Sequence, residues 1–281
     1  MVALRPIELI LLLYEATLTV HLILAPHPPK YFTLHLLINL VIITILVLPV
    51  VRRQKRQSTT PGFIRTFYPL FLFIWLYPQA TVLRHTLITN DLDAVILRWE
   101  KIIFRNYWFE LLPQSLNNFW MEFFHGSYFL YYLGLGVFAM LAFWKHRGKV
   151  NEYLFTVIAT MIVHLWIIIL FPTRGPADAR ILMINQGSLF TNIMNFIYSI
   201  VPVYGGAFPS LHAAAAVVMT AYASLFFPRW KYPLILFLFS ILVATVACAY
   251  HYSIDTLVGA IDGVVALYIF PRIYPKFQTH A

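Results

Sequence analysis

Ala249-Tyr250-His251-Tyr252-Ser253-Ile254-Asp255-Thr256-Leu257-Val258-Gly259 opens an apolar run that continues to position 271. About 20 mostly apolar residues carry an α-helix across the hydrocarbon core of a bilayer, and the segment 252–271 has that length. The stretch therefore reads as the start of a membrane-crossing helix, with a histidine and an aspartate at its mouth. Residues four apart lie on one helix face, so Asp255 can hold a nitrogen of His251 by hydrogen bond. That bond would fix the tautomer and leave the other nitrogen a better base or nucleophile. Without chemistry, the same pair is a structural contact at a helix end.

The rest of the chain has the same character. Of its 281 residues, 60% are hydrophobic, 17% aromatic and only 11% charged, against roughly 25% charged in soluble domains. Too little polar surface is available for water on all sides, which predicts an integral membrane protein. The single cysteine, Cys248, excludes an internal disulfide and any cysteine-rich metal pattern. The formal charge of +9 does not point to nucleic acid, because the basic residues form short clusters between apolar runs, as in cytoplasmic loops of membrane proteins.

About eight spans are predicted, at 7–25, 31–51, 66–83, 124–144, 151–171, 209–228, 232–249 and 252–271. The first follows Arg5 and lacks a small-residue cleavage site, so it reads as a retained helix rather than a secretory signal. Pro69 and Pro78 interrupt the third. With this count, four basic clusters share one side: Arg52, Arg53, Lys55, Arg56 and Arg65; Lys145, His146, Arg147 and Lys149; Arg229 and Lys231; Arg272 and Lys276. The positive-inside rule makes that side cytoplasmic. Both termini are then cytoplasmic, in a multi-pass protein of the cell membrane. The segment from Asp91 to Phe104 has apolar residues at helical spacing with charges between them. It reads as an amphipathic helix in the outer interface, with Trp99, Tyr107 and Trp108 at headgroup level; an ordinary lid is the alternative.

The same topology brings three polar clusters to one depth on the outer side. His251 and Asp255 open the last span. Phe208-Pro209-Ser210-Leu211-His212 opens the sixth, and Pro172-Thr173-Arg174-Gly175-Pro176-Ala177-Asp178 leaves the fifth. Helix N-termini attract anions, so the starts of the sixth and eighth spans are expected to face one phosphate. Ser210 would add its hydroxyl there, and His212 would protonate a departing alkoxide. Read plainly, Ser210 and His212 are a capped helix start with a buried histidine. Arg174 is the expected phosphate clamp and Arg180 the second candidate, because a guanidinium binds two oxygens at once. Glu122 and His125, near the outer end of the fourth span, would orient an acceptor or cap a helix. Asp262 would bond a neighbouring helix, while Glu15, His21 and His164 read as packing contacts.

Pro209-Ser210-Leu211-His212 and His251-Tyr252-Ser253-Ile254-Asp255 resemble the second and third motifs of the type 2 phosphatidic acid phosphatase superfamily. The nearest resemblance is to the branch of fungal inositol phosphorylceramide synthase and the sphingomyelin synthases, and Trp99-Glu100 and Glu122 to Tyr132 look like its bacterial members. The resemblance covers roughly residues 90–270 and implies an all-α, six-helix catalytic core, here over 89–281, after N-terminal transmembrane helices in 1–88. It also implies a mechanism without metal or cofactor. By that resemblance, His251 attacks phosphorus, Asp255 orients it and His212 protonates the leaving group, through a phosphohistidine. Two cations of the phosphatases are missing, with Ile167 and Thr245 in their places. A less cationic site suits a phosphodiester better than a monoester.

The favoured expectation is transfer of a phospho-headgroup, such as inositol phosphate, between membrane lipids of the bilayer. A lipid phosphate phosphatase acting on phosphatidate or polyprenyl diphosphate is the alternative. A non-catalytic lipid transporter or lipid-binding protein is the reading from another class. A metal site of His212, His251 and Asp255 is a further one, which chelators would expose.

Overall fold

The computed structural model describes residues 4–51, 62–183, 188–200 and 205–278. Among them the chain is all helical. In order come α1 (Pro6–Leu24), α2 (Phe32–Val51), α3 (Phe63–Leu83), α4 (Asp93–Phe104), α5 (Trp108–Ser115) and α6 (Asn118–Lys145). They are followed by α7 (Arg147–Leu170), α8 (Ala177–Met183), α9 (Leu189–Ile200), α10 (Leu211–Phe226), a 3-10 turn at Pro228–Trp230, α11 (Lys231–Ala247) and α12 (Ser253–Gln278).

Eight of these helices lie where spans are expected. Six are long and apolar enough to cross a membrane: α1, α3, α6, α7, α11 with the turn before it, and α12. The stretch Phe32–Leu48 of α2, and α10, are shorter apolar helices. The bundle turns large apolar side chains outward all along its length, among them Leu24, Ile45, Phe71, Leu236 and Val264. A surface so apolar belongs in lipid. Pro69 and Pro78 sit inside α3 without ending it. Of the basic residues expected between the second and third spans, Arg52, Arg53, Lys55 and Arg56 lie outside the described residues.

The centre of the bundle is α10, packed against α12, α11, α7 and α6. Its run Ala213-Ala214-Ala215-Ala216 is fully buried, and α12 meets it with two glycines. A Cβ on Gly259 would stand 2.2 Å from the Ser210 carbonyl oxygen, and one on Gly263 would stand 2.7 Å from that of Ala214. Small residues four apart let two helix backbones touch, which is how apolar helices associate where no hydrophobic force separates them from lipid.

One end of the bundle gathers basic turns. His146, in the turn between α6 and α7, stacks on Phe226 at the end of α10 with ring centroids 5.0 Å apart. Arg65, in the first turn of α3, bonds Glu8 of α1. The other end holds the starts of α10 and α12. There the segment from Asp91 to Phe104 forms one helix, α4, as expected, and a second helix not expected from the sequence, α5, follows it. Ile96 of α4 and Phe109 of α5 pack with Val246, Tyr252 and Ile254.

Candidate active site

Each functional side chain is placed by a hydrogen-bonded helix start or turn. Ser210 is the N-cap of α10, its hydroxyl accepting from the Ala213 amide at 3.2 Å, and its own N–H donates to the Asp255 carbonyl at 2.9 Å. The two helix starts are thereby tied at the level of the histidines. Before α12 the chain reverses through Ala249, which has a positive φ of 48°. The amides of Tyr250 and His251 both donate to the Thr245 carbonyl, at 3.0 and 2.9 Å. The Thr245 hydroxyl lies 2.7 Å from that of Thr256. The residue standing in place of a cation is thus fully buried and fastens this turn.

The two imidazoles meet. His212 Nδ1 is 3.2 Å from His251 Nε2, and both residues are buried. On its other side His251 Nδ1 is 2.9 Å from the Ala207 carbonyl oxygen. A carbonyl can only accept, so Nδ1 carries a proton, and in neutral imidazole Nε2 is the lone-pair nitrogen. That lone pair faces His212 Nδ1, which must then be the donor. His212 Nε2 faces the Tyr132 hydroxyl at 2.9 Å, and that hydroxyl donates its one proton to the Tyr128 hydroxyl at 3.3 Å. The Tyr132 oxygen is therefore placed to accept from a His212 Nε2–H, and a His212 that donates from both nitrogens is an imidazolium.

Asp255 sits differently from the sequence expectation. Its Oδ2 is 3.7 Å from His251 Nδ1, beyond hydrogen-bond reach, and accepts instead from the Tyr252 amide at 2.9 Å. The carbonyl of Ala207 has taken the orienting bond. Asp255 is fully buried and its Oδ1 has no hydrogen-bond partner.

The start of α12 also differs from an open anion site. Glu100 of α4, itself fully buried, accepts from the amides of Ser253 and Ile254 at 3.2 and 2.8 Å. With Tyr252 bonded to Asp255, these amides already hold carboxylates, which occupy the electrostatic niche that a phosphate would use. Asp93 does similar work for the loop after α7. It accepts from the amides of Arg174 and Gly175 at 2.7 and 2.8 Å and from the Tyr252 hydroxyl at 2.9 Å. The sequence shows these two carboxylates only as charges on an amphipathic face; their acceptor roles depend on partners far along the chain.

A cavity of about 260 Å³ lies in front of the histidines. His212, His251, Tyr128, Tyr132, Arg174 and Arg180 are among its lining residues. Arg174 is half exposed and pairs with Asp178 at 2.9 Å. The Arg180 guanidinium lies over the Tyr198 ring, 3.8 Å from its centre. Ser210 does not line the cavity; its hydroxyl serves the cap. Glu122 accepts from the amides of Ser188, Phe190 and Thr191 and from the Thr191 hydroxyl, and so holds the start of α9. His125 Nδ1 is 3.0 Å from the Tyr250 hydroxyl.

Tyr132, in contact with His212, is the site neighbour that the sequence does not announce. Its only cue is a place in the aromatic Tyr128-Phe129-Leu130-Tyr131-Tyr132 run of α6. His164 of α7 and Asp262 of α12 come together, Nε2 to Oδ2 at 3.5 Å. Among the described residues no group of three or more His, Cys, Asp or Glu side chains is spaced to hold a metal ion.

A family model described as the PAP2 superfamily matches residues 93–269, more than half of the chain. No curated protein and no solved structure matches it.

Proposed function

The chain belongs to the PAP2 superfamily, and from that premise we propose that it is a lipid phosphotransferase of the inositol phosphorylceramide synthase and sphingomyelin synthase-like branch. His251 is its nucleophile, His212 its general acid and Asp255 an electrostatic partner of His251. The observation that carries this reading is the directed contact between the two imidazoles. It leaves the His251 Nε2 lone pair and the His212 Nδ1 proton facing each other at 3.2 Å beside a cavity that holds two arginines.

The chemistry follows from that polarity. A lipid phosphoester enters with phosphorus against His251 Nε2 and the lipid oxygen against His212 Nδ1–H. The N–P bond forms as the P–O bond to the lipid breaks, and His212, entering as an imidazolium with its Nε2–H on the Tyr132 oxygen, passes its Nδ1 proton to the departing oxygen and is left neutral, giving a lipid alcohol and a phosphohistidine. Phosphorus and the leaving oxygen need more room than the resting contact provides, so substrate must part the two rings. In the second half, His212 takes the proton of an incoming alcohol, whose oxygen attacks phosphorus and frees His251.

The charge of the cavity favours a diester. Arg174 shares its charge with Asp178, Arg180 lies over a ring, and Thr245 and Ile167 replace cations. This is less positive charge than a doubly ionised monoester calls for. A diester carries one negative charge and keeps its headgroup through the transfer. Arg174 and Arg180 are the phosphate-binding residues in this reading. The site faces away from the cytoplasm, since Lys145, Arg147, Arg229 and Lys231 flank the opposite helix ends.

Purified protein supplied with a lipid phosphodiester, with and without a long-chain lipid alcohol, tests the proposal. Headgroup transfer that requires the alcohol is the expected result. Free phosphate from a monoester, with no transfer, would establish the phosphatase alternative. Full turnover by His251→Ala would sink both.

A further inference from the structure

A second cavity, of about 540 Å³, adjoins the first and is of a different kind. One wall is α3, through residues including Phe71 and Ile74; the other is α6, through Leu135, Gly136 and Met140. Phe73, Ile74, Tyr77, Tyr132 and His212 line both cavities, so the two are continuous at the general acid. His251 lines only the polar one. Phe71 and Ile74 are also 66% and 75% exposed on the outside of the bundle, where the surface is lipid-facing. The apolar cavity is therefore a slot that opens sideways into the membrane and ends at His212. Its volume lies within the range of about 300–1,000 Å³ usual for ligand sites.

We infer that this slot holds the hydrocarbon tail of the leaving lipid, and that α3 and Gly136 set which tails are accepted. The inference rests on the reading of His212 as the acid. The oxygen protonated there belongs to the departing lipid alcohol, whose chain must extend from that point, and the apolar cavity begins there. The family match starts at residue 93, whereas α3 ends at Leu83. Half of the tail site thus comes from a helix outside the matched core, and tail selection is a property of the N-terminal helices. Gly136 lines the slot and a Cβ there meets nothing within 4 Å, so a larger side chain at this position is admitted without displacing the helices.

Two measurements test this, and only one depends on turnover. The intact protein in vesicles is irradiated with a phospholipid bearing a diazirine near the end of its acyl chain. Label in the peptides spanning 63–74 and 131–140 is expected; label confined to other helices overturns the inference whatever the activity. For turnover, kcat/KM is compared for dihexanoyl and dipalmitoyl forms of one phospholipid, in the parent, Gly136→Phe and Ile74→Trp. Each bulky residue displaces about two methylenes from the slot, and the ratio of long- to short-tail kcat/KM should fall on the order of tenfold. A ratio unchanged in both variants overturns the tail slot and leaves the histidine chemistry standing. A parent that turns over neither lipid refutes the catalytic reading, with the labelling still deciding where tails bind.

Discussion

Gly259→Ala probes whether the closeness of α10 and α12 sets the geometry of the histidine pair. The added Cβ would lie 2.2 Å from the Ser210 carbonyl oxygen, where a carbon and a carbonyl oxygen ordinarily keep about 3.3 Å. The obstacle is backbone and cannot rotate away, so the helices must part by about 1 Å. Ser210 lies two residues before His212, and its N–H is bonded to the Asp255 carbonyl. The displacement is therefore delivered to the 3.2 Å contact between His212 and His251. A catalytic group misplaced by about 1 Å costs on the order of 100-fold in rate. The crowding also destabilises by about 1–3 kcal/mol, offset in part by the roughly 1 kcal/mol by which alanine outranks glycine in a helix. Gly148→Ala is the control, since nothing lies within 4 Å of a Cβ there. The assay is kcat for headgroup transfer by detergent-purified protein, with Tm followed in parallel. If Gly259→Ala kept kcat within about twofold of Gly148→Ala, the helices would not be setting the site, and the argument from close packing would be wrong.

Tyr132→Phe keeps the ring and removes the hydroxyl that faces His212 Nε2; hydrogen bonds to charged groups contribute about 1.5–3 kcal/mol, so kcat should fall roughly 10- to 150-fold while KM moves little. A large rise in KM with kcat intact would assign Tyr132 to binding instead. Glu100→Ala strips two amides at the start of α12 of their acceptor and should cost about 1–3 kcal/mol, seen as a lower Tm; an unchanged Tm would show that the cap is dispensable. Incubation with a chelator should leave transfer intact, and acid-labile phosphate should be trapped on the parent but not on His251→Ala; loss of activity restored by a divalent ion would favour the metal reading. In the loop before α4, burial opposes ionisation of Asp91, yet the His85 hydrogen bond and the Arg84 charge outweigh it and hold its pKa below the ordinary carboxylate value. A depressed pKa stabilises above the unfolded value and loses that contribution as pH falls through the folded one. Tm should therefore drop on acidification more steeply in the parent than in Asp91→Asn, and parallel curves would show that the ion pair contributes nothing.

The all-helical class, the positions of the eight helices at the expected spans and the two histidines that meet were legible along the chain because they rest on local periodicity and length, whereas α5, α8 and α9 were not. An apolar run of bilayer length, cut by basic clusters, dictates where helices start and which end of each is cationic, whatever they pack against. His212 and His251 stood out because each sits at such a start. The orienting partner of His251 was not legible: Asp255 is at the right spacing, but the bond goes to Ala207, 44 residues away. Tyr132 finds His212 across 80 residues, and Glu100 reaches Ile254 across 154. Such bonds depend on how far one helix slides along another, a quantity that no periodicity encodes. The same holds for α3, whose two prolines weaken its reading as a span, yet which closes one side of the slot beside His212. Composition and spacing by themselves determined a helical membrane protein with two histidines at helix mouths. Only tertiary packing, through glycines that bring α10 onto α12 and carboxylates that tie the loops, decided which lone pair faces which proton.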